Sequence, residues 1–211
     1  MAEPMSTISD TAVTEGGARA AAVSALVAAA TRLFATHGPD GVSLRAVASE
    51  AGVNYGLIHQ YVGSKDDLIR LVCRSVSERT AAQVSAEVDL DATVDRMFGT
   101  GRTDYVTMLT WTLLQGRDPV ELLGRSPALT AVTDRLDPSL DDAATRVAAM
   151  TAMALGWQVF GPFIAAGVGI ADEDRAQVDH ELRRLARGLL GDDPADASEI
   201  VMDGGTFSSQ S

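Results

Sequence analysis

The chain reads as an all-α protein, and three observations carry that prediction. Apolar residues recur at the 3.6-residue helical period along most of its 211 residues. Long period-2 alternation, the mark of a half-buried strand, is absent, and β-branched clusters are few. Alanine is abundant while aromatic residues make up only 5% of the chain, a balance that favours helices over sheets. At 46% hydrophobic, the sequence can bury a substantial core.

Taken in order, residues 1–18 hold Glu3, Asp10 and Glu15 and no basic side chain. That is not the positive start of a secretory signal, and the Ser, Thr and Gly content predicts a flexible arm. Val23, Leu26, Val27, Ala30, Leu33 and Phe34 form the stripe of a first helix, stopped by His37-Gly38-Pro39. Ser43 is placed to cap a short helix with Leu44, Val47, Ala48 and Ala51 facing inward. Gly52 ends it with the positive φ that a tight helix–helix turn needs. A second short helix runs from about Asn54 to Val62, with Leu57, Ile58 and Val62 apolar. Gly63-Ser64 then breaks the chain and caps a longer helix from Lys65, bearing Leu68, Ile69, Val72 and Val76.

Further on, helices are predicted over Asp91–Phe98, Thr103–Gln115 and Pro127–Leu136, with a break at Gly116-Arg117-Asp118-Pro119. Two long ones follow, over Asp141–Gly167 and Asp172–Leu190. The run Val147–Ala171 carries no charge and is long enough to span a bilayer. Its Gly residues, Pro162 and Gln158, and its acidic flank Asp172-Glu173-Asp174, favour instead a helix between its own core and a partner. Residues 192–211 are acidic and then Gly/Ser-rich without periodicity, which predicts a disordered tail.

The formal charge is −12, with 17 basic against 29 acidic residues, which at first argues against a nucleic-acid partner. Its distribution argues the other way. Residues 19–75 carry six basic and four acidic side chains and are net positive, while residues 76–211 carry 11 basic and 22 acidic. One cysteine, Cys73, excludes a disulfide framework, and three scattered histidines offer no metal-ligand spacing. No nucleophile triad, phosphate loop or paired-carboxylate motif stands out, so no enzyme and no cofactor is expected.

The informative unit is Ser43 to Leu68: two short helices joined by a Gly-containing turn, a helix-turn-helix. Its second helix would lie in the major groove of DNA while the first crosses the backbone. Asn54, Tyr55, His59, Gln60 and Tyr61 are donors and acceptors of the kind that read base edges or grip phosphates. The segments Ser43-Leu44-Arg45-Ala46-Val47-Ala48, Ala51-Gly52-Val53, His59-Gln60-Tyr61-Val62 and Ser64-Lys65-Asp66-Asp67-Leu68 resemble the DNA-binding domain of the TetR/AcrR family of bacterial transcriptional regulators. The match covers roughly residues 20 to 75.

The resemblance implies a three-helix DNA-binding domain over residues 19–75 and a larger helical ligand-binding and dimerisation domain over 76–191. It implies phosphate contacts from Ser43 and Arg45, groove contacts from Asn54 and Tyr55, and backbone contacts from Tyr61 and Lys65. Leu57 stands where the family usually has Ser or Thr, and could pack on a thymine methyl. His59 stands where Tyr is common, with a similar phosphate contact and some pH sensitivity implied. Each residue also has a plainer reading: solvated charges for Arg45 and Lys65, a core aromatic for Tyr61, a surface polar group for His59.

For the second domain the resemblance implies a small-molecule pocket. Met97, Phe98, Tyr105, Met108, Trp111, Thr112, Gln115, Met153, Trp157 and Phe160 are its candidate lining, although such a stripe is more often core. Tyr105, Met108, Trp111, Thr112 and Gln115 would share one helical face. The reading is therefore a cytoplasmic homodimeric repressor, released from a palindromic double-stranded DNA operator by an apolar effector, with no membrane. Its alternative is a ligand-independent regulator or interaction protein controlled by a protein partner.

Overall fold

A computed structural model describes residues 7–87, 89–99 and 103–191. Among these residues the chain is all-α, without a strand. Ten α-helices follow in order: α1 (Thr7–His37), α2 (Leu44–Glu50), α3 (Tyr55–Val62), α4 (Lys65–Ala86), α5 (Leu90–Phe98), α6 (Thr103–Leu114), α7 (Pro119–Leu123), α8 (Pro127–Thr133), α9 (Ala143–Gly167) and α10 (Arg175–Leu190). The last is preceded by a 3-10 turn, Asp172–Asp174.

The helices form two compact units, divided within α4 after Arg79. The first holds α1 to α3, most of α4, and α6 and α7 up to Ser126; the second holds the end of α4, α5 and everything from Pro127 on. A single cut at residue 75/76 does not describe this arrangement. The reason is tertiary: α6 packs along α1, a long-range contact that no local pattern announces.

In the first unit, α1 lays Leu26, Ala29, Ala30 and Phe34 inward, all fully buried. Helices α2 and α3 pack on α1 and on each other, burying Val47, Ala48, Ile58 and Val62. Helix α4 adds Leu68, Ile69, Val72 and Cys73. Burial pushes the Cys73 thiol up to about 11, against a hydrogen bond with Tyr105 that pulls it down. Helix α1 starts at Thr7, inside the predicted flexible arm. Extending a formed helix adds one hydrogen bond per residue, whereas nucleating one is unfavourable, so the packed 19–37 stretch carries its neighbours along. Residues 1–6 and 192–211, where the rest of the arm and the tail are expected, lie outside the described residues.

In the second unit, α10 packs on α9 and α5, and α8 and α5 on α9. The core gathers Val94, Met97, Phe98, Val132, Met150 and Ala154 with Ala186 and Leu190. Polar groups tie its edges. Arg135 donates to the backbone carbonyls of Val84 and Glu87 at the end of α4, and Glu87 in turn accepts from Arg96 and from Thr93 Oγ1 (2.7 Å). Arg183 and Arg187 of α10 both reach the Asp95 carboxylate, at 3.3 and 2.7 Å.

By length and composition alone, α9 and the Gly16–His37 part of α1 are apolar enough to cross a membrane. Helix α9 gives one face to the core through Val147, Met150, Ala154, Gly161 and Ala165. Its remaining C-terminal surface is uncovered: Phe160 is 55%, Phe163 79% and Val168 68% exposed.

Several boundaries differ from the pattern. Pro119 opens α7 instead of continuing a break, because a missing N–H costs nothing at the first helical position. Asp118 caps it, its side chain accepting from Val120 N at 2.7 Å. Helix α8 ends at Thr133, not Leu136, and α9 begins at Ala143. The acidic run Asp172–Asp174 takes the tighter 3-10 turn ahead of α10.

Arg135 donates to two carbonyls at the end of α4, one of which, Val84 O, also accepts from Glu87 N at 3.3 Å. Replacing Arg135 with Met should lower unfolding stability by about 1.5–3 kcal/mol, the range for hydrogen bonds to a charged group. Urea unfolding of the purified chain measures it.

Candidate nucleic-acid interface

The helix-turn-helix is built by its caps. Ser43 Oγ accepts from Ala46 N at 3.1 Å and starts α2. Gly52, at φ +66°, turns the chain, and Val53 N closes the turn on Ala48 O at 2.9 Å. Asn54 Oδ1 accepts from Gly56 N at 2.8 Å and starts α3. Both capping side chains thus spend an oxygen on the backbone, and Asn54 keeps its amide N–H groups for another partner.

Helix α3 is anchored by Ile58 and Val62, both buried, which fixes the rest of its circumference. Tyr55, Gly56, Leu57, His59 and Gln60 are all exposed, with Tyr61 half-buried. At 100° per residue, Gly56 and Gln60 lie opposite the anchors, flanked by Leu57 and His59. Leu57, apolar by type, therefore belongs to the outward face and is 38% exposed.

Aromatic and cationic side chains brace that face. The Arg45 guanidinium lies over the Tyr55 ring, 5.0 Å from its centroid, and so ties α2 to α3. The Tyr55 and His59 rings meet edge-on, with centroids 6.2 Å apart. Arg19, which no sequence signal singled out, lies over the Tyr61 ring at 5.9 Å and donates to Gln60 O at 3.3 Å. Arg32 of α1 pairs with Glu50 of α2 at 3.0 Å.

Helix α3 ends and α4 begins within two residues. Gly63 has φ +76°, and a Cβ there would stand 2.7 Å from Asp67 Oδ2, so both backbone and space demand glycine. Ser64 and Asp67 form a reciprocal cap: Asp67 Oδ2 accepts from Ser64 N (2.9 Å) and Oγ (2.6 Å), and Ser64 Oγ accepts from Asp67 N at 3.1 Å. Lys65 does not project freely. Its Nζ donates to Pro39 O at 3.0 Å and Asp40 O at 3.4 Å, pinning the α1–α2 loop. Arg117, likewise unmarked in the sequence, reaches Asp40 at 3.1 Å and Asp66 at 3.2 Å. The Trp111 ring covers Gly38 in the same loop, with a Cβ on Gly38 falling 3.6 Å from Trp111 Cδ2.

The effector candidates fall in different units. In the first unit the supposed single face of α6 divides: Tyr105, Met108 and Thr112 are buried, while Trp111 and Gln115 are exposed beside Gly38. The cause is angular, since residues 111 and 115 point some 50–90° away from the mean direction of the other three at 100° per residue. Thr112 Oγ1 donates to Met108 O at 2.7 Å. In the second unit Met97 and Phe98 are core residues with Met153 packed against them. Trp157 Nε1 donates to Asp179 Oδ1, and Phe160 faces outward. Gln158 Nε2 donates to Met97 O, and its Oε1 is buried without a partner among the described residues, as is Thr151 Oγ1. Among the described residues no three His, Cys, Asp or Glu side chains gather as metal ligands.

The family model described as bacterial regulatory proteins, tetR family, matches residues 26–72, the span that carries α2 and α3. The HTH-type transcriptional repressor Rv3405c of Mycobacterium tuberculosis strain H37Rv is 31% identical over 168 residues, 76% of this chain and 87% of that protein. The chain belongs to the TetR family. As a TetR-family regulator it shares the all-α fold of two solved structures. One is the putative transcriptional regulator SCO4942 from Streptomyces coelicolor, at TM-score 0.54 and 22% identity over 79% of this chain and 96% of that one. The other is the multidrug binding protein EbrR complexed with imidazole, at TM-score 0.52 and 22% identity over 82% of this chain and 97% of that one. At this identity the likeness concerns the fold alone.

Asp67 titrates below its usual 3.8, first through the Ser64 hydroxyl, then the Ser64 backbone N–H and Arg70. A depressed carboxylate contributes stability that is present above its unfolded value and lost as pH falls through the folded one. Asp67→Asn keeps a capping oxygen but cannot titrate there. Its denaturation midpoint should fall less steeply than that of the unaltered protein between about pH 5 and pH 2.

Proposed function

We propose that this TetR-family chain is a homodimeric, cytoplasmic repressor that a largely apolar small molecule releases from a pseudo-palindromic operator. The observation that carries the DNA reading is the outward face of α3. Five exposed residues stand on a helix fixed by two buried anchors and capped at both ends. Ser43, Arg45, Tyr61 and Lys65 would hold the phosphates around it, and Asn54, Tyr55, Leu57, His59 and Gln60 would face the groove. Lys65 retains one N–H beyond the two it gives to the α1–α2 loop, and sits at the first turn of α4, where the helix dipole also attracts an anion.

Repression is supported by the Mycobacterium relative, itself a transcriptional repressor, and a small-molecule effector by the multidrug binding protein whose fold this chain shares. Two further observations support the effector. Gln158 Oε1 and Thr151 Oγ1 are buried on α9, two turns apart and unpartnered among the described residues, and such atoms cost about 1–3 kcal/mol each until something pairs with them. The core of the same unit holds Met97, Phe98 and Met150 with Met153 packed against it, methionine and aromatic types that suit an apolar body with few polar handles. Pairing of α9 and α10 with a second copy would cover Phe160, Phe163, Ile164 and Val168, and a two-fold dimer calls for a two-fold operator.

Selection from a randomised duplex pool tests the reading: recovery of inverted repeats supports it, and single half-sites alone reject the dimer. In gel shifts on the selected site, Arg45→Ala should weaken binding. It should also flatten the slope of log K against log salt by about 0.9 for each phosphate that the variant no longer neutralises. Phe163→Glu should convert the dimer to monomer in sedimentation, while leaving the helical signal intact.

A further inference from the structure

We propose that His59 reads a base as a hydrogen-bond acceptor, its Nε2 receiving a hydrogen bond from the exocyclic amino group of an adenine or cytosine in the major groove. This rests on the DNA-binding reading above and departs from the phosphate contact that the family resemblance implies for this position.

The ring's other nitrogen fixes which of the two can accept. His59 Nδ1 lies 3.1 Å from the Gly63 carbonyl oxygen. A carbonyl only accepts, so Nδ1 carries the hydrogen, and in the neutral ring Nε2 is left with a lone pair. Gly63 holds this arrangement from both sides. Its own N–H donates to His59 O at 3.0 Å, so one residue closes α3 and fixes the ring's tautomer. The positive φ that orients that carbonyl is a conformation few residues other than glycine adopt. On its other side the ring meets the edge of Tyr55, itself covered by the Arg45 guanidinium at 5.0 Å.

An exposed Nε2 lone pair has a restricted set of partners on DNA. Phosphate oxygens, guanine O6 and N7, and thymine O4 are acceptors and offer it nothing. The major groove presents two donors, the N6 amino group of adenine and the N4 amino group of cytosine. His59 flanks the Gly56–Gln60 line that faces away from the anchors, on the side toward Tyr55. Gly56 has no side chain to hold the helix away from the bases.

The test is selection from a randomised duplex pool at about pH 8, where free imidazole is neutral, with the unaltered protein, His59→Phe and His59→Arg. His59 is exposed, and thermal unfolding checks that the variants fold. The unaltered protein should favour adenine or cytosine about tenfold at one position of each half-site, as one base-edge hydrogen bond allows. His59→Phe should lose that preference alone, and His59→Arg should turn the position to guanine, whose O6 and N7 accept a guanidinium. An even loss of affinity across all sequences in His59→Phe would mean a phosphate contact and overturns the proposal. Unchanged preferences in both variants overturn it as well. If the unaltered protein enriches no sequence, the operator reading falls and this one with it, an outcome distinct from either of the others.

Discussion

The Gly63-Ser64 joint is the constraint on which the first unit turns. One left-handed glycine ends α3, and the next residue caps α4, so two helices change direction without an intervening loop. The Asp67 carboxylate occupies the space a Cβ on Gly63 would need, which makes the cap and the turn mutually dependent. From this joint the rest follows. The His59 ring is held by the Gly63 carbonyl, Lys65 reaches back to the α1–α2 loop, and Asp66 meets Arg117 after α6. A side chain at position 63 would disturb the outward face of α3 and the start of α4 together.

The reading surface is a product of burial as much as of polarity. Ile58 and Val62 consume one side of a helix only eight residues long, and what remains has no choice but to face outward. Leu57 illustrates the point: its apolar character is overruled by its angular position. Polar capping and aromatic stacking then restrict the side chains on that face to few conformations, so less entropy is lost when they meet a partner.

Much of this is legible in the sequence because its signals are local. Ser43, Gly52, Asn54 and Gly63-Ser64 mark helix ends by chemistry that acts over two or three residues, and the α2–α3–α4 boundaries follow them closely. The residue types on α3 are legible for the same reason. What escapes depends on distance along the chain. Arg19 meets Gln60 across 41 residues, and Arg117 meets Asp40 across 77, with no pattern to announce either. The packing of α6 on α1 is likewise unannounced, and it brings Trp111 and Gln115 beside Gly38. Helix α7 is hidden for a different reason: Asp118-Pro119 is a start signal, but a proline so close behind a glycine also has the look of a stop.

Cys73, buried in α4 with its thiol pushed up to about 11, has a consequence for redox chemistry. Only a thiolate attacks a disulfide or a peroxide, and at neutral pH this sulfur is almost wholly protonated and enclosed. It is the chain's one cysteine, so the protein has no second thiol with which to close an internal disulfide. Thiol reagents therefore find little purchase on Cys73 in the folded protein. A signal read by oxidation of this thiol is accordingly disfavoured in the folded protein.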